Sequence, residues 1–530
     1  MNRFKDKKVE LFVFAMLIIS LIIVSIFHEP WFDEAQAWQI ARCASIRDIL
    51  FLIPHYEGHP ALWHLILCIP AKLGLPYEIS LNVISLIAPI LSGYLILFYS
   101  PFPRVIRCLL PFHYFLFYQY GVICRPYGYM VLAIILIALQ FRKKDEHPVR
   151  FVLTMLFLCL LGAYGILVAG GISAAWLFDI CQEKHWKIFS KDFWKDLRVL
   201  TLMALLLCTM LIMVQIMPYP TTSGVSIEVQ NSVFVRLLYA VFAMLPDCLF
   251  MNIFMEGGYL QNITLVTSNV VLGCIVGLIM LVIMICLSKK RDLKYFLLPY
   301  VTFSLFAGIV YLYAHHIGIM YGLFLYWAWI SWGGEREEHI FVPQMSDLKC
   351  SEEMKKILPI CVKLVVAYVL CMPIVWTVVA SWHDIRLPYF WGREAAQFIK
   401  DNDLEDASMM ARWENDDIND MWIIIGVLPY LDHTPCLNLN MGQEDRAFVI
   451  HLTADDEDVD NALSRIAQIG YPDFTIGKMT FRGVPFEEEA PEYVLGHELS
   501  PIWVGIWKNQ LSYGNYESKI GIYVKKDLSK

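Results

Sequence analysis

The chain has 530 residues, of which 58% are hydrophobic and 17% charged, with a mean hydropathy of +0.52 and a formal charge of -8. Apolar runs this numerous and this long exceed what one globular core can use, so the composition excludes a soluble protein and implies a polytopic membrane protein. Acids concentrate towards the C-terminal end, as in Asp455-Asp456-Glu457-Asp458, and no basic, aromatic-interleaved surface suits a nucleic-acid partner.

The basic start, Met1 to Lys8, precedes an apolar run from Leu11 to Phe27. No small-residue cleavage site follows, so an uncleaved first span is expected rather than a signal peptide. Beyond it stands Trp31-Phe32-Asp33-Glu34-Ala35, an abutting carboxylate pair between aromatic residues at a bilayer interface. Insertion does not require such acids, which points to chemistry where lipid meets water. The bland alternative makes Trp31 and Trp38 interface anchors and the acids a solvated helix start.

Hydropathy predicts about eleven spans. They are Leu11 to Phe27, Ile79 to Tyr99, Cys108 to Ile123, Tyr127 to Phe141, Phe151 to Gly162 and Ile166 to Ile180. Leu200 to Met217, Ile263 to Leu287, Tyr295 to Tyr313, Ile317 to Trp332 and Ile357 to Ala380 complete the set. The segment His59 to Gly74, with proline near its start and end, is marginal for crossing. Laying it along the outer surface puts the basic stretches at Arg104 to Arg107, Arg142 to Lys144, Lys184 to Arg198 and Lys289 to Arg291 inside. The N-terminus is then cytoplasmic, in a multi-pass protein of the cell membrane.

Residues 1–381 are expected to form the membrane domain, with a first outer loop over 28–78 and a large outer loop over 218–262. The apolar middle of the latter, Phe234 to Phe254, reads as an interfacial helix or a dipping pair. Residues 382–530 read as a soluble extracytoplasmic α/β domain. Strands are predicted at Trp422 to Val427 and Lys519 to Val524, and helices at Arg393 to Lys400 and Val459 to Ile469. Most of the fourteen cysteines lie in apolar runs as small hydrophobes, and Cys436 alone falls in the tail, so no disulfide framework is expected.

This topology gathers Asp33, Glu34, His59, Arg125, Tyr127, Tyr164, His315 and His316 on the outer face. A lipid-phosphate leaving group needs no protonation, so a transfer reaction there requires one carboxylate base and donors for the departing phosphate. Asp33 is the candidate base, and Arg125, His59 and His315-His316 are the candidate phosphate ligands, arginine suiting phosphate through its two-pronged fork. Arg125 could equally snorkel to headgroups, the histidines could be interface polar residues, and Tyr127 and Tyr164 belt aromatics. A divalent metal on Asp33, Glu34 and a histidine is a further alternative, with no HxxxH or CxxC spacing behind it.

Phe32-Asp33-Glu34-Ala35 after the first span, His59-Pro60-Ala61-Leu62-Trp63, and Arg125-Pro126-Tyr127 opening a leucine-rich span together resemble the GT-C superfamily of membrane glycosyltransferases. The branch resembled contains protein O-mannosyltransferases and lipid A aminoarabinose transferase. The resemblance covers about the first third of the chain and implies a GT-C type fold. It implies sugar transfer with inversion from a polyprenyl-phosphate donor to a lipid, glycan or protein acceptor, with Asp33 as catalytic aspartate and Glu34 as its acidic partner. His59 stands where relatives carry a basic or polar residue before a Pro-Pro pair, here Pro60-Ala61. Arg125-Pro126-Tyr127 replaces a second acidic residue, so metal dependence does not transfer. A transporter or flippase of a lipid-linked or anionic solute is the competing class, but no internal repeat supports it. A non-enzymatic outer-face scaffold is the third.

Overall fold

A computed structural model of the protein describes residues 7–219, 232–250, 268–312, 314–331, 352–411, 419–439, 441–449, 468, 470–481, 484–502 and 519–528. The first half of the membrane part holds α1 (Lys8–Phe27), α2 (Phe32–Cys43), α3 (Leu62–Lys72), α4 (Tyr77–Tyr99), α5 (Tyr127–Gln140), α6 (Pro148–Leu160) and α7 (Ala163–Glu183). It continues through α8 (Leu197–Ile216), α9 (Val233–Phe250), α10 (Ser268–Leu287), α11 (Leu293–Ile309), α12 (Ile317–Ser331) and α13 (Glu352–Arg386).

Among the described residues, seven helices are long and apolar enough to cross a membrane: α1, α4, α7, α8, α9, and the apolar stretches of α10 and α13. A helix of twenty residues rises about 30 Å, the thickness of a hydrocarbon core. The protein is therefore a multi-pass helical membrane protein. Helices α5, α6, α11 and α12 are shorter, and α5 and α12 are buried along almost their whole length inside the bundle. Helix α3, with eleven residues, is too short to cross and packs on α2.

One membrane segment departs from the sequence expectation. Cys108 to Ile123 is not one helix: Arg104–Leu109 is α-helical, Leu110–Phe112 a 3-10 turn and Phe115–Gln119 a π turn. Pro111 supplies no N–H at the break. Irregular backbone survives at membrane depth only when protein covers it, and residues 113–124 are all buried. The Phe234 to Phe254 segment was expected to lie at or dip into the surface. Its described part, residues 234–250, is helical, within α9 and with one π turn at Tyr239–Ala243.

One end of the bundle gathers arginines of the membrane part into ion pairs. There Arg104 and Arg107 both meet the Glu10 carboxylate, Arg142 pairs with Asp292 at 2.8 Å, and Arg198 engages Asp145, Glu183 and Asp196. Phe102 against Trp329, and Arg142 on the Ile330 carbonyl, join these groups into one basic rim. The opposite end carries α2, α3 and the C-terminal domain.

That domain is built on a six-stranded sheet of order β3-β2-β1-β4-β8-β7, with β1 (Met409–Ala411), β2 (Cys436–Asn438), β3 (Gln443–Glu444), β4 (Phe474–Lys478), β7 (Tyr493–Glu498) and β8 (Ile520–Lys525). A small hairpin of β5 (Thr480–Phe481) and β6 (Val484–Pro485) lies apart. Strand β1 runs parallel to β2 and β4, and the other neighbours are antiparallel. Helix α14 (Gly392–Asp401) and strand β8 fall where the sequence placed them. Trp422 to Val427 does not: it is the body of helix α15 (Asn419–Val427). Its Ile423, Ile424 and Ile425 are buried because α15 packs on α2 on one side and β4 on another, and a segment buried all round carries no diagnostic period. The helix expected at Val459 to Ile469 lies outside the described residues, apart from residue 468.

The domain is fastened to the membrane part. The Arg393 guanidinium spans Glu78 at 2.5 Å and the His28 carbonyl at 3.0 Å, and its backbone N–H donates to Glu29 at 2.7 Å. Tyr430 adds a bond to Glu78 at 2.6 Å, and the Phe32 ring packs tilted against Trp422, centroids 4.2 Å apart. From the other direction Gln36, Gln39 and Arg42 of α2 donate to the carbonyls of Phe448, Arg446, Leu428 and Leu431.

Candidate functional site

Helix α2 begins at Phe32, with Trp31 extended before it. Adjacent residues on a helix project about 100° apart, so Asp33 and Glu34 leave α2 in different directions. Asp33 faces Arg125: Nη2 lies 3.4 Å from its carboxylate and Nη1 donates 2.9 Å to its main-chain carbonyl. Glu34 points inward and is fully engaged. Its Oε1 accepts from the Cys124 N–H at 2.6 Å, and its Oε2 from the Trp31 N–H and His28 Nε2, each at 3.2 Å.

The remaining predicted residues converge on the same place. His316 sits between two tyrosines, with Nε2 2.8 Å from Tyr127 Oη and Nδ1 3.1 Å from Tyr164 Oη. Tyr164 donates in turn to the Tyr311 carbonyl. His315 is in ring contact with both His316 and Tyr127, and its carbonyl accepts from Tyr120 at 2.5 Å. His59 approaches the corner between α6 and α7, where a Cβ added to Gly162 would lie 3.9 Å from its Nδ1. All eight residues singled out from the sequence thus occupy the end of the bundle bearing the C-terminal domain, grouped around the Asp33 and Arg125 pair.

Burial and neighbouring charge set the protonation of this group. Burial raises the Asp33 carboxyl above the usual range, and Arg125 opposes that shift. Burial works against the Arg125 charge, but the Asp33 carboxylate and Tyr127 outweigh it and hold the guanidinium charged. His315 is pushed down to about 3, first by burial and then by repulsion from Arg125 and His59. His316 is depressed well below its ordinary value, by burial and then by His315, His59 and Arg125. His64 on α3 is likewise lowered to about 3 by burial, His59 and Arg125. These three histidines are therefore neutral hydrogen-bonding groups near neutral pH, and Arg125 is the fixed positive charge. Its Nε is buried and donates to no group among the described residues.

Among the described residues no three His, Cys, Asp or Glu side chains are grouped to hold a metal ion, and with Glu34 turned inward it shares no ligand position with Asp33.

Sequence reasoning missed several members of this network. His64 stood beside Trp63 on an amphipathic stretch. His28 and Asp384 meet at 2.9 Å, and an acid at the end of an apolar span was a visible signal for the second. Glu29 and Arg393, which tie the C-terminal domain to the end of α1, carried no comparable mark.

No family model matches the chain, and no curated protein or solved structure does either.

Proposed function

We propose that this protein is an inverting glycosyltransferase of the GT-C type that takes sugar from a polyprenyl-phosphate donor. The observation that carries the reading is the Asp33 carboxylate against the partly buried Arg125 guanidinium, at the end of the bundle opposite the basic rim. In the proposed step the acceptor hydroxyl oxygen attacks the anomeric carbon while its proton passes to Asp33. The anomeric C–O bond to phosphate breaks, and its electron pair leaves with polyprenyl phosphate, which stays anionic and needs no acid. Arg125 holds that phosphate by charge-assisted hydrogen bonds, and its spare Nε–H supplies a donor. A bound phosphate would counter the repulsion from Arg125 that helps keep His315 neutral. Glu34, with both oxygens engaged, orients α2 rather than touching the acceptor.

The basic rim supports a cytoplasmic placement for that end, which sets the site and the C-terminal domain on the outer face. With α5, α6, α11, α12 and the broken segment 104–123 counted as crossings and α9 left as part of the outer loop, the crossings number eleven, an odd count that parts the two termini. The acceptor class stays as lipid, glycan or protein. The test is to incubate purified protein with a panel of polyprenyl-phosphate sugars and an acceptor extract, and to measure free polyprenyl phosphate. Release from one donor, lost in Asp33→Asn, is the expected result; no release from any member of the panel refutes the proposal.

A further inference from the structure

The elbow between α1 and α2, His28-Glu29-Pro30-Trp31, carries a buried charge network that the transfer chemistry does not use. His28 lies between two carboxylates, with Nδ1 2.9 Å from Asp384 Oδ2 and Nε2 3.2 Å from Glu34 Oε2. All three side chains are about 1% exposed or less. Donation from both ring nitrogens requires the doubly protonated imidazolium, so the bridge carries one positive charge between two negative ones. Tyr118 donates to the same Asp384 oxygen at 3.0 Å, and the Tyr389 ring packs edge-on against the imidazole.

What this network touches gives it meaning. Glu34 follows Asp33 in the chain, and its other oxygen takes the N–H of Cys124, the residue before Arg125. Asp384 lies in the last turns of α13, the helix that leads into the C-terminal domain, and Arg393 of that domain binds the His28 carbonyl. One side chain thus joins three elements: the start of α2, the corner bearing Arg125, and the helix leading into the domain.

We infer that His28 is a positioning residue, bridging Asp384 to Glu34 so that Asp33 and Arg125 are held in register and the site is tied to the C-terminal domain. Misplacing a reacting group by 1 Å costs rate on the order of a hundredfold, which a strut one residue away from both partners would prevent. The activity readout rests on the glycosyl-transfer reading; the strut itself does not.

The test uses the full chain and two variants, His28→Gln and Asp384→Asn, with two measurements. Steady-state release of polyprenyl phosphate from the preferred donor should show kcat reduced roughly 10- to 100-fold in His28→Gln, with donor KM within about twofold. Asp384→Asn, which leaves His28 able to donate to Glu34, should fall between it and the parent. Independently, maleimide labelling mapped by peptide mass spectrometry should find Cys124 protected in the parent, where it is 2% exposed, and reactive in His28→Gln. Unchanged kcat together with a protected Cys124 in either folded variant would overturn the inference. So would a lower yield of folded protein with normal kcat per molecule, the mark of a merely structural role. Exposure of Cys124 without turnover from any donor, even in the parent, would sustain the strut and refute glycosyl transfer.

Discussion

Asp33→Asn should separate the proposed catalysis from stability, because the ion pair with Arg125 and the proposed base function draw on this residue differently. Arg125 keeps its stronger anchor in the variant, the 2.9 Å bond from Nη1 to the main-chain carbonyl of residue 33. What is lost is one ionic contact at 3.4 Å, from a side chain one-fifth exposed, and asparagine can still accept there. Partial solvent screening limits that loss to about 1 kcal/mol or less. The proton acceptor, by contrast, disappears altogether, and a positioned base is worth roughly 10²- to 10⁴-fold in rate, or about 3 to 5 kcal/mol of barrier. Polyprenyl phosphate release and thermal unfolding in detergent, measured on the same preparation, should therefore diverge. Turnover should fall at least a hundredfold while the melting temperature moves by no more than a few degrees. Retained turnover would remove Asp33 from the chemistry. A collapse in stability would show that the pair is a structural ion bridge.

Burial lifts the Asp33 carboxyl, and the base must be ionised to act, so the acid limb of the kcat/KM profile should lie above the ordinary aspartate range; a limb at or below it would argue against this group. His28 gains proton affinity on folding, from an ordinary 6.5 to about 10, because Asp384 and Glu34 outweigh its burial. Its contribution to stability should be whole below pH 6.5 and lost as pH rises through about 10, and His28→Gln should flatten that dependence in thermal melts. At Gly171 an added Cβ would meet the Pro299 backbone at 2.4 Å, so Gly171→Leu should force α7 and α11 apart and cost about 1 to 3 kcal/mol or more; an unchanged melting temperature would contradict that packing. Phe189→Cys, with a parent side chain 93% exposed near the basic rim, should be labelled by an impermeant maleimide only from the cytoplasmic side, and labelling from outside would invert the proposed topology.

Much of the bundle was legible because hydrophobic length is a one-dimensional property. The long helices α1, α4, α7, α8 and α10 stand close to their expected positions, and His59 to Gly74 yielded a helix too short to cross. Segment 104–123 was misread because its apolar content is continuous while its backbone is not. Only the covering protein makes the break at Pro111 tolerable, and no local pattern reports that cover. Trp422 to Val427 failed for a related reason: Ile423, Ile424 and Ile425 face partners on several sides, so burial erased the helical period. The grouping of these charged and aromatic residues was readable, because topology alone sends them to one end. Its internal arrangement was not. Nothing in Asp33-Glu34 says that the first faces Arg125 and the second turns to His28 and Cys124, since that division depends on the angle at which α2 leaves α1. Nor could sequence indicate that His315 and His316 are neutral, which follows from their burial beside Arg125.

The most direct measurement is a cryo-EM map of the protein with polyprenyl phosphate, the product of the proposed reaction, bound in a lipid nanodisc. The phosphate should sit within about 3 Å of the Arg125 guanidinium, next to the Asp33 carboxylate, with its chain running into the bilayer. A phosphate seated elsewhere, or a map in which Asp33 and Arg125 face different compartments, would contradict a shared site at this end of the bundle.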